Sequence, residues 1–173
     1  MASKTQTAGA AGVGAAAMLA IASIFTPMWE GTETKPYWDS IGKVWTVCTG
    51  ETNVPMREYS EAECRQMFGK SFKGYADKVA QLSPGIEKSP YEWAAHADLA
   101  YNVGVGAYSN SSVRRLYNAG NGVQACRNMR LYRVAGGKVI QGLVNRREGE
   151  GNRLGAYELC LGGAVPAYIE GRR

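Results

Sequence analysis

From Thr5 to Trp29 the chain carries no charged residue; Lys4 precedes the run and Glu30 follows it. Its central part, AGAAGVGAAAMLAIASIF, is long enough to reach across a bilayer as a helix, which takes about 20 residues. Pro27 is expected to end that helix, because proline lacks the donor that continues the hydrogen-bond ladder. The positive charge at the front predicts an N-terminus left in the cytoplasm, with everything after residue 29 delivered to the far side. The run is only weakly hydrophobic. Its strong apolar residues are Val13, Leu19, Ile21, Ile24 and Phe25, and at about 0.3–0.6 kcal/mol each they supply roughly 1.5–3 kcal/mol of insertion free energy. Three readings stay open: a signal peptide cleaved at the small-residue site Ala20-Ile21-Ala22, a permanent anchor, and an anchor that later leaves the bilayer.

The rest of the 173 residues suffices for one domain with a proper core. With 45% hydrophobic and 20% charged residues the chain is neither disordered nor an ordinary membrane protein. The net charge of +5 fits ordinary surface charge or attraction to an anionic partner, whether nucleic acid, a membrane surface or a bacterial wall. There is no basic run, zinc-finger spacing or aromatic RNA-binding signature, so nucleic acid is not an expected partner. The cysteines, Cys48, Cys64, Cys126 and Cys160, form no CxxC motif and lie far from the single histidine, His96. No metal and no cofactor are expected. An even count in an exported domain fits two disulfides, and four cysteines leave three pairings open.

Residues 30–58 are rich in Gly, Thr, Tyr and Trp, and WTVCTG alternates as a strand does, so a small antiparallel β-element is expected there. Ser60-Glu61-Ala62-Glu63 is a capping box, and Met67, Phe68 and Phe72 follow at helical spacing, which predicts a helix over about 61–82. Ser89 as N-cap with Pro90 behind it starts a second helix, with Trp93, Ala97, Ala100 and Tyr101 as its apolar stripe and Asn102–Gly106 as its end. Helices at 111–118, 121–131 and 141–160 should follow, with a turn at Gly136-Gly137. The fold class is therefore α+β: a small β-lobe in front of a larger helical lobe, preceded by the N-terminal hydrophobic helix.

Glu30 and Asp39 stand nine residues apart, with Thr46 on the next strand. The stretch from Glu30-Gly31 through Pro36-Tyr37-Trp38-Asp39 to Trp45-Thr46-Val47-Cys48-Thr49-Gly50 resembles the active-site region of phage-type lysozymes, glycoside hydrolase family 24. Tyr101-Asn102-Val103-Gly104, Ala135-Gly136-Gly137-Lys138 and Gly142–Glu148 are similar to motifs of that family's helical lobe. Two departures stand out. Thr46 lies seven residues past Asp39 where many relatives have six, which assigns the extra residue to the Ser40–Lys43 turn. Tyr132 stands where relatives usually have Trp.

The resemblance implies a lysozyme-like domain over 29–173, behind a segment of residues 1–28. It implies cleavage of the β-1,4 bond between N-acetylmuramic acid and N-acetylglucosamine in peptidoglycan. Such chemistry needs an acid to protonate the leaving oxygen and a second carboxylate across the bond. Glu30 is the expected acid, kept protonated by the apolar Met28-Trp29 neighbourhood. Asp39 is the expected ionised partner, and Thr46 the hydroxyl that holds a water, which implies inversion. Gly50 should let a sugar approach the backbone, Asn102 should line the cleft or cap its helix, and Arg146 should meet anionic peptide stems or pair with Glu148 or Glu150. A monomer is expected. Some family endolysins carry a signal-anchor-release segment; the N-terminus resembles one, and implies tethering in the host bacterial inner membrane, with the catalytic domain periplasmic, before release to the periplasm. The segment has no cysteine, so control by position rather than thiol exchange is expected. The rival reading is a tethered, non-catalytic wall-binding module. A stem-peptide peptidase lacks the metal site or Cys-His pair it would need.

Overall fold

The computed structural model of the chain describes residues 5–40 and 43–169, with side-chain surroundings for 14–40 and 43–163. A long helix α1 (Thr5–Glu30) leads into a hairpin of β1 (Glu33–Asp39) and β2 (Val44–Cys48). The helical body follows: α2 (Glu61–Leu82), α3 (Pro90–Val103), α4 (Val105–Ser109), α5 (Ser112–Asn118), α6 (Gly122–Asn128), α7 (Gln141–Glu148) and α8 (Ala156–Ile169). A second short hairpin, β3 (Val134–Ala135) and β4 (Lys138–Val139), turns at Gly136-Gly137.

The strongest sequence signals give the cleanest elements. Ser60 accepts from the Glu63 amide while the Glu63 carboxylate accepts from the Ser60 amide, which starts α2 at the expected residue. Those bonds and the Arg57 guanidinium hold the exposed Glu63 carboxyl at about 2, below its ordinary 4.5, with the Arg57 bond the largest cause. Ser89 accepts from the Glu92 amide and Pro90 occupies the first turn of α3.

Three expectations change. Pro27 does not end α1: it sits inside the last turn, and its carbonyl still accepts from the Gly31 amide at 2.9 Å. A proline so near a C-terminus costs one donor and leaves the carbonyl side of the turn intact. The single helix expected over 141–160 is two, because Gly149 caps α7 in the left-handed region at φ +88 and the backbone at Gly155 runs too close to Arg147–Gly149 for a Cβ. The apolar stripe of α3 is a sheath: Glu92 through Ala100 are all buried, with α1, α2 and α8 packed around the helix.

The N-terminal helix is thus part of the body. Met18, Ala22 and Phe25 of α1 are buried in the same core as Phe68, Phe72, Leu99 and Met129. Farther up, Gly14 lets α1 approach the short 3-10 turn Ile86–Lys88; a Cβ there would stand 2.8 Å from the Glu87 carbonyl. Among the described residues no helix is long and apolar enough to cross a membrane.

Two disulfides form, Cys48–Cys64 and Cys126–Cys160, at separations of 16 and 34 residues. The first staples the hairpin to α2 beside a small second core of Val47 and Tyr59; the second ties α6 to α8. By loop-closure entropy they stabilise the fold by about 3 and 4 kcal/mol.

Candidate active site

Glu30 is the last residue of α1, and Thr26 lies one turn before it on the same helix face. Both reach one buried charge pair on the body. Thr26 Oγ1 donates to Asp98 Oδ1 at 2.9 Å. Asp98 accepts from Arg146 twice, Nη2 to Oδ1 at 2.6 Å and Nε to Oδ2 at 3.2 Å. The remaining Arg146 nitrogen, Nη1, donates to the Glu30 carboxylate in an ion pair. Thr26 and Asp98 are fully buried, Arg146 is 4% exposed, and the Glu30 side chain is 32% exposed, so the chain of contacts opens to solvent at its Glu30 end.

This corrects two expectations. Glu30 was expected against an apolar wall; its neighbour is a guanidinium, while Trp29 turns away to donate to the Leu154 carbonyl at 3.2 Å beneath the Arg153 guanidinium. Arg146 was expected toward peptide stems or toward Glu148 or Glu150. It is buried on Asp98 and Glu30, whereas Glu148 pairs with Arg130 and Arg133, and Glu150 with Arg153. Burial works against the Arg146 charge, but Asp98 and Glu30 outweigh it and leave the guanidinium more firmly protonated than usual. Its neighbour Arg147 lacks that balance: burial, with repulsion from Arg146 and only partial help from Asp98, brings it down to about 10.

Outside Glu30 opens a cleft of about 460 Å³ between the end of α1, the turn after β2, α2 and α3. Gly50 and Asn102 both line it, as does Glu30. Gly50 takes φ +89, and a Cβ there would meet the Tyr101 hydroxyl at 3.3 Å, so glycine keeps this wall open. Asn102 accepts from Arg147, while the end of α3 is capped by Gly104, whose amide donates to the Ala100 carbonyl. Tyr101 donates to the Thr49 carbonyl at 2.5 Å and so ties the turn to α3. Burial, then the charges of Glu30 and Glu51, push its phenol up.

Asp39 and Thr46 do not line this cleft; they share one face of the hairpin with Tyr37 and Val44, since Tyr37 pairs with Thr46 and Asp39 with Val44. Burial and then the charges of Asp39, Glu33 and Glu30 push the Tyr37 phenol up, so Tyr37 feels both Glu30 and Asp39. Thr46 is buried and its hydroxyl donates to the Val44 carbonyl at 3.3 Å. The extra turn residue falls partly on positions 41 and 42, outside the described residues; Lys43, just after them, takes φ +52.

Sequence reasoning missed Thr26, Asp98 and Glu51. Glu51 is a second carboxylate in the cleft wall and accepts from Ser71 Oγ at 2.6 Å. A signal for Asp98 existed: a carboxylate flanked by Ala97, Leu99 and Ala100 on a helix expected to pack against the core needs a cationic partner once buried. His96 is structural, its Nδ1 2.8 Å from the Tyr108 hydroxyl, which lies 2.8 Å from Ser83 Oγ. Among the described residues the one metal-like grouping is Glu92 with Cys126 and Cys160, whose sulfurs are joined to each other.

Comparison with known proteins places this geometry. A family model described as phage lysozyme matches residues 27–150. A SAR-endolysin of Enterobacteria phage P21 is 37% identical over 139 residues, covering 78% of each chain. In structure, the chain is similar to an endolysin from Escherichia coli O157:H7 phage FAHEc1, with TM-score 0.68 and 21% identity over 81% of this chain and 90% of that one. The active form of the P1 phage endolysin Lyz gives TM-score 0.65 and 22% identity over 78% and 79%. The match over most of the helical body and the hairpin, with Glu30 at the mouth of the cleft, means that the chain belongs to the phage lysozyme family, glycoside hydrolases that cut the glycan of bacterial peptidoglycan.

Proposed function

We propose that this lysozyme is a release-type endolysin, exported with residues 1–28 in the host inner membrane and active as a monomer in the periplasm once that segment has left the bilayer. In this reading Glu30 protonates the leaving oxygen of the β-1,4 bond. Asp39 stabilises positive charge on the sugar or directs a water, and Thr46 orients that water. Thr46 spends its proton on the Val44 carbonyl, which leaves its oxygen free to accept from the water. Gly50 and Asn102 form the sugar-facing wall. Arg146 holds Glu30 from behind, in place of the contact with peptide stems. A water between enzyme and sugar implies inversion, with carboxyls roughly 6.5–9.5 Å apart. The first product should then be the α-anomer, detectable by proton NMR during the early turnover; a β-anomer would replace the mechanism by a double displacement.

The observation that carries the reading is α1 itself. It buries Met18, Ala22 and Phe25 in the core and ends on Glu30. Cleavage at the Ala20-Ile21-Ala22 site would remove Met18 and Ala22 from that core. The name of the P21 relative, a SAR-endolysin, supports the same route. N-terminal sequencing of the periplasmic protein tests it: the chain should begin at Met1 or Ala2. A chain beginning at Ser23 would make the segment a cleaved signal peptide.

A further inference from the structure

The structure assigns Thr26 and Asp98 as positioning residues for the acid: the Asp98–Arg146 pair is a receptor on the body that α1 must engage with two side chains one turn apart. The inference rests on the reading of Glu30 as the catalytic acid. Arg146 is held by Asp98 through two parallel hydrogen bonds, a geometry that fixes the plane of the guanidinium. Two groups on one helix face then meet that plane: Thr26 donates to the Asp98 oxygen that also takes Nη2, and Glu30 takes Nη1. Because Thr26 and Glu30 are fixed on one helical turn, seating Thr26 sets the height and rotation at which Glu30 reaches the cleft.

Burial makes Thr26 selective. Its hydroxyl and Asp98 are both fully buried, so a helix that docks with Thr26 out of register leaves an unsatisfied polar group against a buried carboxylate. Trp29, within the same turn, adds a second contact with the body through the Leu154 carbonyl and the Arg153 guanidinium. A threonine in an otherwise apolar segment thus serves the body and not the bilayer: it reports to Asp98, and through Arg146 to Glu30, that the helix is seated.

The test is a set of full-length variants assayed for peptidoglycan cleavage with kcat and KM resolved, beside thermal unfolding. Thr26→Val keeps the shape and removes the donor. It should lower kcat about tenfold to a hundredfold, the equivalent of one hydrogen bond to a charged group, with KM changed less than twofold. Thr26→Ser should restore most of kcat. Asp98→Asn should lower kcat with the same unchanged KM. Glu30→Gln is the control for the underlying reading. If Glu30→Gln is inactive while Thr26→Val keeps wild-type kcat, the positioning role is wrong and the acid assignment stands. If Glu30→Gln is fully active, the acid assignment itself is wrong. Loss of kcat in Thr26→Val that tracks a fall in melting temperature, without rescue by Ser, would reduce Thr26 to a packing residue and overturn the inference.

Discussion

Glu30→Gln should slow peptidoglycan cleavage by about 10²–10⁴-fold, the usual contribution of a positioned general acid. Its fold should stay within about 1 kcal/mol of the wild type: the Glu30 side chain is 32% exposed, and the amide oxygen still accepts from Arg146. The measurement is turbidity clearing of chloroform-permeabilised Gram-negative cells by matched amounts of the two proteins, with urea unfolding alongside. Equal clearing would take Glu30 out of the mechanism. It would direct attention to Glu51, the other carboxylate of the cleft wall.

A second large effect is expected at Arg146, this time on stability. Arg146→Met leaves Asp98 fully buried, with Thr26 as a donor and Arg147 at 3.8 Å as its remaining cation. Removing one partner of a buried ion pair costs about 3–5 kcal/mol, a large part of the roughly 5–15 kcal/mol that holds a domain of this kind together. Urea unfolding should show a lowered midpoint. The double variant Arg146→Met, Asp98→Leu should recover much of the loss, because apolar side chains of similar volume replace buried ions at little cost. It should remain slow in the lysis assay, since the guanidinium that holds Glu30 is gone. Full stability of the single variant would mean that the pair is solvated more than its burial implies.

How much of this was legible in the sequence differs by element. α2 and α3 could be bounded to a residue or two because their starts carry caps whose donors and acceptors are local. The break between α7 and α8 was missed because Gly149 and Gly155 act together: one turns the chain and the other lets the returning backbone pass against it. Neither glycine alone signals that contact. In the site, Glu30, Gly50 and Asn102 were found from a motif, and all three line the cleft. The environment of Glu30 was misjudged because its sequence neighbours Met28 and Trp29 are apolar, while its spatial neighbour comes from 116 residues away. Thr26 was invisible for the same reason: inside an uncharged run it reads as one more small residue, and its partner lies on another helix.

The sheath around α3 has an energetic consequence for the helix that completes it. Remove α1 and an apolar trough stands open along the body, shaped to take Met18, Ala22 and Phe25. If the segment is exported in the membrane as proposed, it has two places to put the same oily side chains, lipid or its own protein. Burying Met18 and Phe25 contributes about 1.5–3 kcal/mol apiece relative to water, but lipid tails are about as apolar as a protein core, so hydrophobic burial alone chooses neither place. On the proposed release route, what the trough offers and lipid does not is a polar partner: the Thr26 hydroxyl finds Asp98 only when the helix is seated on the body.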